Sequence, residues 1–521
     1  MAAATHTQTP PAERPYALAA AELAKTENGR PLRVAEIPIV APDSFTRLVT
    51  DACARGARLV ALLPLPAGRG AAAGATLLAA LADDRARALG VVGARLGEDL
   101  AYRALTERLP QAQLFEREIF EEHGIRPEGH PWLKPVRRHA DLEAPGGHDR
   151  PAPAHEFFRV EGEGIHEVAV GPVHAGVIEP GHFRFQCYGE TVLSLEIQLG
   201  YQRRGAERLM LSAPGRRIAV AETLAGDTTI GHGTAYCQAM EALAGAAIPR
   251  PAESVRGIAL ELERCANHVG DLGALCNDVG YLPGASWFGR LRGEFLNLSA
   301  ELCGSRFGRG LLKLGGVRFG IPVARRAEFR ARLEKACTDL EMIADLASDT
   351  PSIGSRFEQT GIVTRALADE IGLVGPAARA SGCDRDSRRD HPAGIFRAAS
   401  IPVATREAGD VMARARQRRL ESEHSIRFVL EQLERLDEGP LAADIGTPAA
   451  ESLVVSIVEA WRGEAVHVAI TDAAGALAAY KIVDPSFHNW FGLAMALRDN
   501  QISDFPLCNK SFNLSYAGHD L

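Results

Sequence analysis

Apolar and polar positions alternate through His182–Phe185 and again through Val192–Ile197, with Tyr188-Gly189-Glu190 between them. That pattern predicts a β-hairpin. After it, Tyr236, Met240 and Leu243 recur at helical spacing, which predicts a helix over Thr234–Ala247 with His232 just before its start. Leu260, Leu262, Cys265, Val269, Leu272 and Leu275 predict a long helix over Glu253–Gly280. Leu291–Phe307, Ala324–Ala347 and Gly409–Leu436 read as three more helices, consistent with a bundle. Gly315-Gly316, inside Leu311–Phe319, reads as a tight backbone turn. Val466–Thr471 and Leu477–Ile482 read as a second hairpin across Asp472–Gly475.

Ahead of these elements the chain changes character. Arg58–Leu65 and Leu89–Leu96 are short, rich in Val and Leu, and read as strands. The Ala-rich stretch Ala71–Leu81 between them reads as helical or partly loop. Glu98–Leu109 reads as an amphipathic helix stopped by Pro110, and Phe115–Gly124 as a helix ended by its glycine. Glu116, Glu118, Glu121 and Glu122 read as a solvated acidic face of that helix. The stretch 141–154 is rich in Pro and Gly and lacks periodicity. It divides the chain into a tail (1–31), a small N-terminal domain (32–140), a linker (141–154) and a large C-terminal domain (155–521). The fold class expected is α+β: a small α/β domain, then a mainly-α helical bundle with peripheral β-hairpins.

Composition narrows the picture. The chain has 521 residues, 46% hydrophobic and 24% charged, as in ordinary globular proteins. A net charge of −8 and a pI near 6.1 argue against nucleic acid as a partner. No apolar run approaches bilayer-spanning length. The N-terminus lacks the apolar core of a secretory signal, which leaves a frayed or partner-wrapping tail. None of the nine cysteines forms a CxxC pair, so buried free thiols are expected rather than disulfides or a metal site. No GxGxxG lies near a strand–helix unit, so any NAD in the chemistry belongs to another subunit.

Several motifs carry a resemblance. GPVH (Gly171–His174), EPGHFR (Glu179–Arg184), GYQRRGAERL (Gly200–Leu209) and HGTAYCQAME (His232–Glu241) are similar to the large subunit of energy-converting nickel-iron hydrogenases. They are equally similar to its relative, the 49 kDa quinone-site subunit of respiratory complex I. ELERCANH (Glu261–His268) resembles a motif shared by both families; within it Glu261, Arg264 and His268 are spaced for contact along a helix. GPAARASG (Gly375–Gly382), with Asp386, Arg388 and Pro392, resembles the complex I relative. Arg379, Asp386, Arg388 and Arg389 read first as internal ion pairs. FEREIFEEHG with GHPWL after it resembles the 30 kDa subunit of complex I, a docking module. The resemblance implies a fusion of the two subunits in one chain.

It also implies where chemistry would sit. The hydrogenases hold nickel with four cysteines, whose positions here carry Ala225, Thr228, Ser515 and Gly518. Alanine and glycine offer no ligand, and hydroxyls are poor replacements for soft thiolates. No nickel-iron centre and no hydrogen chemistry are therefore expected, and no cofactor bound by this chain itself. In the complex I relative the same cavity takes a quinone headgroup beside a histidine–aspartate pair, which the motifs place at His182 and Asp278. His174, His232 and Tyr236 are the implied cofactor-side residues. The relative's quinone-contacting tyrosine falls at Gly226, a departure. His182 reads equally as a hydrogen-bonded interface histidine. Two functions are implied. One is a quinone-site-like subunit beside an iron–sulfur small subunit that carries the cluster. The other is a non-redox coupling subunit for an ion-pumping membrane arm. Either implies antiporter-like and quinone-channel-like membrane partners and a peripheral place on the inner, cytoplasmic face of the membrane.

Overall fold

The computed structural model describes residues 17–18, 20–65, 75–139, 155–174 and 178–521. The linker 141–154 and the tail before residue 17 lie outside the described residues.

The N-terminal module is a mixed sheet with helices. Ala24–Thr26, Ala88–Arg95, Thr76–Asp83 and Arg58–Leu65 lie side by side, all antiparallel, and Ile39–Val40 runs parallel to Ala88–Arg95. Three expectations are corrected here. Thr76–Asp83 is a strand rather than a helix, because it is the middle strand of this sheet and seven of its eight residues are buried. Glu98–Leu109 forms no helix; Ala101–Arg103 is a short strand paired with Arg126–Glu128. Part of the expected flexible tail, Ala24–Thr26, is a strand of the sheet.

Helix Gln113–His123 ends at Gly124, whose φ of +68° suits a residue without a Cβ. Three of the four residues of its acidic face are buried, not solvated, and the half-buried Glu122 pairs with Arg203. Glu116 accepts from the backbone of Leu105 and Thr106, and Glu121 from that of Val136 and Arg137. Glu118 bonds Arg137 and, at 2.6 and 2.7 Å, Lys481 of the C-terminal module. A carboxylate survives burial when its oxygens are satisfied in this way.

The C-terminal module contains the expected bundle. Helices Arg250–Asp278, Leu282–Cys303, Val323–Ser348 and Val411–Glu434 pack on one another. Its first hairpin forms as read: His182–Tyr188 pairs antiparallel with Thr191–Gln198. The second gains a strand that the sequence pattern does not show. Ser452–Ala460, Gly463–Thr471 and Leu477–Val483 form one antiparallel sheet, and Leu32–Arg33 of the N-terminal module joins its edge. This sheet lies between the two cores rather than at the periphery. Leu453, Val455, Ile457, Val466 and Val468 face the N-terminal core, while Val454, Val458, Ala469 and Ile482 face the helical core. Burial on both faces explains its unbroken apolar runs. Among the described residues no helix is long and apolar enough to cross a membrane.

Candidate functional site

Asp484 leaves the last strand of the central sheet and caps helix Pro485–Ala496, its carboxylate accepting from Ser486 N at 2.7 Å. The same carboxylate lies 2.8 Å from Nε2 of His232. His232 is therefore inside a helix, which spans Thr229–Leu243 and starts earlier than the expected Thr234. Glu263 of the neighbouring long helix secures that start by accepting from Ile230 N and Gly231 N at 2.7 and 3.1 Å. On its other side, His232 Nδ1 is 3.1 Å from His467 Nε2, and His467 Nδ1 is 2.7 Å from the Tyr480 hydroxyl. His467 and Tyr480 stand on adjacent strands of the central sheet.

These four groups form one buried chain. An ionised carboxylate only accepts, so His232 donates from Nε2 and accepts at Nδ1 from His467, which in turn accepts from Tyr480. Burial pushes the Asp484 carboxyl up, but the His232 hydrogen bond and the nearby Arg462 charge outweigh it and hold it below its usual value. Burial, and then the neighbouring His232, drive His467 well below the ordinary histidine range. Burial holds the Tyr480 phenol well above its own.

Beside this chain stand the four positions where the hydrogenase resemblance would require thiolates. Ala225 is fully buried and carries no donor. Thr228 Oγ1 accepts from Trp461 Nε1 at 3.1 Å. Ser515 Oγ accepts from Gly518 N at 2.9 Å and caps the last helical turn. Gly518 lies so close to Asp484 that a Cβ there would stand 2.5 Å from its carboxyl carbon. Arg462 occupies the same region. It grips Asp227 with both terminal nitrogens at 2.6 and 2.7 Å and donates from Nε to Asn513 O at 2.5 Å. Hydroxyls already used, a glycine against a carboxylate and a guanidinium alongside do not fit a nickel ion. Among the described residues no three His, Cys, Asp or Glu side chains are grouped to hold a metal. All nine cysteines are free.

The residues expected to carry the quinone chemistry are placed differently. His182 and Asp278 are not brought together by a hydrogen bond. His182 Nδ1 donates to Gly171 O at 3.0 Å, and its Nε2 accepts from Arg184 Nε at 3.2 Å, so neither nitrogen is left for a carboxylate. Burial and then the Arg184 charge work to lower its pKa, and the Gly171 bond only partly offsets them. Asp278 ends the long helix, exposed, its carboxylate making no hydrogen bond among the described residues. Desolvation raises its carboxyl while Lys510 pulls it down. His174 Nε2 bonds Gly181 O at 3.0 Å, so His174 and His182 clasp the two ends of one loop. Tyr236 lies one turn beyond His232, buried, its phenol pushed up to about 12 by burial. Gly226 is exposed, and a Cβ there would meet nothing within 4 Å. The Arg379–Asp386–Arg388 cluster pairs internally, with Glu421, Glu459 and Glu261.

Residues 278–452 match the family described as the respiratory-chain NADH dehydrogenase 49 Kd subunit, and residues 80–156 that of the 30 Kd subunit. An NADH-quinone oxidoreductase subunit of Clostridium beijerinckii is 32% identical over 281 residues, covering 53% of this chain and 75% of the relative. The chain belongs to the complex I 49 kDa subunit family. It carries the 30 kDa-like segment in the same polypeptide. Within this wider family, formate hydrogenlyase subunit 5 of Escherichia coli is 29% identical over 440 residues, covering 80% of this chain and 77% of the relative. The fold is also similar to a chain in the structure of an archaeal respiratory membrane complex, the membrane-bound sulfane sulfur reductase. That match has a TM-score of 0.64 at 22% identity and covers 69% of this chain and 99% of the other.

His467, Asp484 and Arg462 do not stand out from the sequence. One signal is available. His467 is a lone imidazole in an apolar strand, VHVAI, and such a group needs a buried partner.

Proposed function

We propose that this chain is the large subunit of a membrane-associated respiratory oxidoreductase complex. It stands beside an iron–sulfur small subunit on the inner membrane face and forms a quinone-site-like pocket against the membrane arm. The observation that carries the reading is the donor set at Ala225, Thr228, Ser515 and Gly518. A family member that keeps the two-module architecture without those thiolates retains protonatable groups, not nickel, as its chemical equipment. The open space beside exposed Gly226 supports access for a headgroup. In this reading His182, whose tautomer Gly171 fixes, gives up its bond from Arg184 when a headgroup enters, and the exposed Asp278 supplies a carboxylate free to approach on binding.

One observation favours a second reading, a coupling subunit without redox turnover of its own. Phe512, Leu514 and Tyr516 are all buried in the helical core, and the Tyr516 ring packs against Gly181 beside His182. A pocket so filled would transmit movement rather than admit a ring. Quinone reductase activity of the assembled complex separates the two. The first reading expects His182→Gln to lower it at least tenfold with assembly intact. Unchanged activity in that variant removes the quinone reading.

A further inference from the structure

Between Glu301 and Glu328 the chain carries no Asp or Glu, yet it carries Arg306, Arg309, Lys313 and Arg318. In a chain of net charge −8 that stretch is a local excess of positive charge. It folds back on itself through the paired two-residue strands Leu312–Lys313 and Gly316–Val317. Glu222 ties it to the short helix Arg217–Ala221 by accepting from Gly310 N at 3.0 Å. Burial raises the Glu222 carboxyl, and the Gly310 bond and the charges of Arg309 and Arg318 pull against it. Arg216 adds a further guanidinium immediately before that helix.

Arg216, Arg306, Arg309 and Arg318 are all exposed, and none has an ion pair or a side-chain hydrogen bond among the described residues. Glu222 is buried and already taken by Gly310, so it cannot neutralise them. The bundle surface treats its arginines differently. Arg290 is paired with Asp339, Arg325 with Glu301 and Arg330 with Glu334. The unmatched face also lies next to the candidate site. A Cβ on Gly308 would stand 2.5 Å from Ile230 Cδ1, in the first turn of the helix that carries His232.

Exposed Phe319 adds apolar surface beside Arg318. Arginine with an aromatic residue, and little lysine, is the composition of a protein interface. A segment that binds anionic lipid gains from lysine as much as from arginine. The guanidinium fork, by contrast, suits a carboxylate held in two-point contact. We propose that this basic face docks an acidic protein surface presented by another subunit of the complex, with Arg306, Arg309 and Arg318 on its carboxylates and Phe319 against its apolar border. The proposal rests on the reading of this chain as one subunit of a larger complex, and on neither of the two functions weighed above.

The test uses carbodiimide, which joins an amine to a carboxylate in contact with it and leaves guanidinium groups untouched. Arg309→Lys and Arg318→Lys keep the charge and supply the amine. In the purified assembled complex each is expected to give a cross-link absent from the wild type, mapped by mass spectrometry to an Asp or Glu of another subunit. Arg309→Glu together with Arg318→Glu, both at exposed positions that folding tolerates, is expected to lower recovery of that subunit with the full chain at least tenfold. The wild-type contact is expected to weaken as salt rises. Cross-links confined to this chain's own carboxylates, or full recovery of every subunit with the double variant, overturn the proposal. So does binding of the wild-type chain to phosphatidylglycerol vesicles that the double variant loses, without cross-links to another subunit, because lipid phosphate then occupies this face. No turnover is read, so failure of the quinone assay leaves this result standing.

Discussion

His232 Nε2 meets Asp484 Oδ2 at 2.8 Å with both side chains essentially out of solvent. This single contact joins the helix of the family's HGTAY motif to the turn that leaves the central sheet. A charge-assisted bond of this kind stabilises by about 1.5–3 kcal/mol. Asp484→Asn is therefore expected to cost about that much at pH 7. The folded-state pKa of Asp484 lies below its unfolded value, so its contribution is present above about pH 4 and lost as pH falls through the folded value. Urea melts of the two proteins should converge as pH drops below about 4. A gap that stays constant with pH contradicts the pairing.

Arg462 binds Asp227 through two nitrogens, a geometry that lysine cannot copy. Arg462→Lys and Arg462→Leu should both destabilise, the latter by about 1.5–3 kcal/mol because the charge-assisted bonds to the partly exposed Asp227 are lost. Asp227→Asn in the Arg462→Leu background should recover part of the loss. A double-mutant cycle with no coupling beyond about 0.5 kcal/mol would contradict the assignment.

Glu118 ties the two modules through Lys481 and Arg137. Burial works to raise its carboxyl, but the two cations win and hold it below the usual range. Glu118→Gln should cost about 3–5 kcal/mol near neutral pH. The stabilisation is present above about pH 4.3 and fades as pH falls toward the lower folded value. Thermal melts between pH 7 and pH 3 read this directly, and equal melting temperatures at pH 7 would contradict it.

Gly226 offers open space where the complex I relatives are expected to carry a tyrosine. Gly226→Tyr should fold with a stability change within about 0.5 kcal/mol, as an exposed substitution does. On the quinone reading it should lower the KM for quinone in the assembled complex. An unchanged KM in a well-folded variant argues for the coupling reading.

Much of this architecture is legible in the residues, and the failures have physical causes. The bundle helices follow from apolar spacing and the first hairpin from alternation, whereas the helical spacing of Glu98–Leu109 gives no helix because Ala101–Arg103 pairs with Arg126–Glu128. Thr76–Asp83 looks helical because alanine favours helices in isolation, whereas here a middle position in a sheet overrides propensity. Ser452–Ala460 escapes notice because burial on both faces erases alternation. Glu116, Glu118 and Glu121 look solvated because their partners, Lys481 above all, come from distant segments. The His232–Asp484 contact spans 252 positions, beyond any local pattern.

The most direct measurement is the metal content of the purified, assembled complex. The account predicts iron from the small subunit and nickel far below one atom per chain, since Ala225, Thr228, Ser515 and Gly518 cannot hold it. One nickel per complex, retained through purification, would contradict the account and return hydrogen chemistry to this pocket.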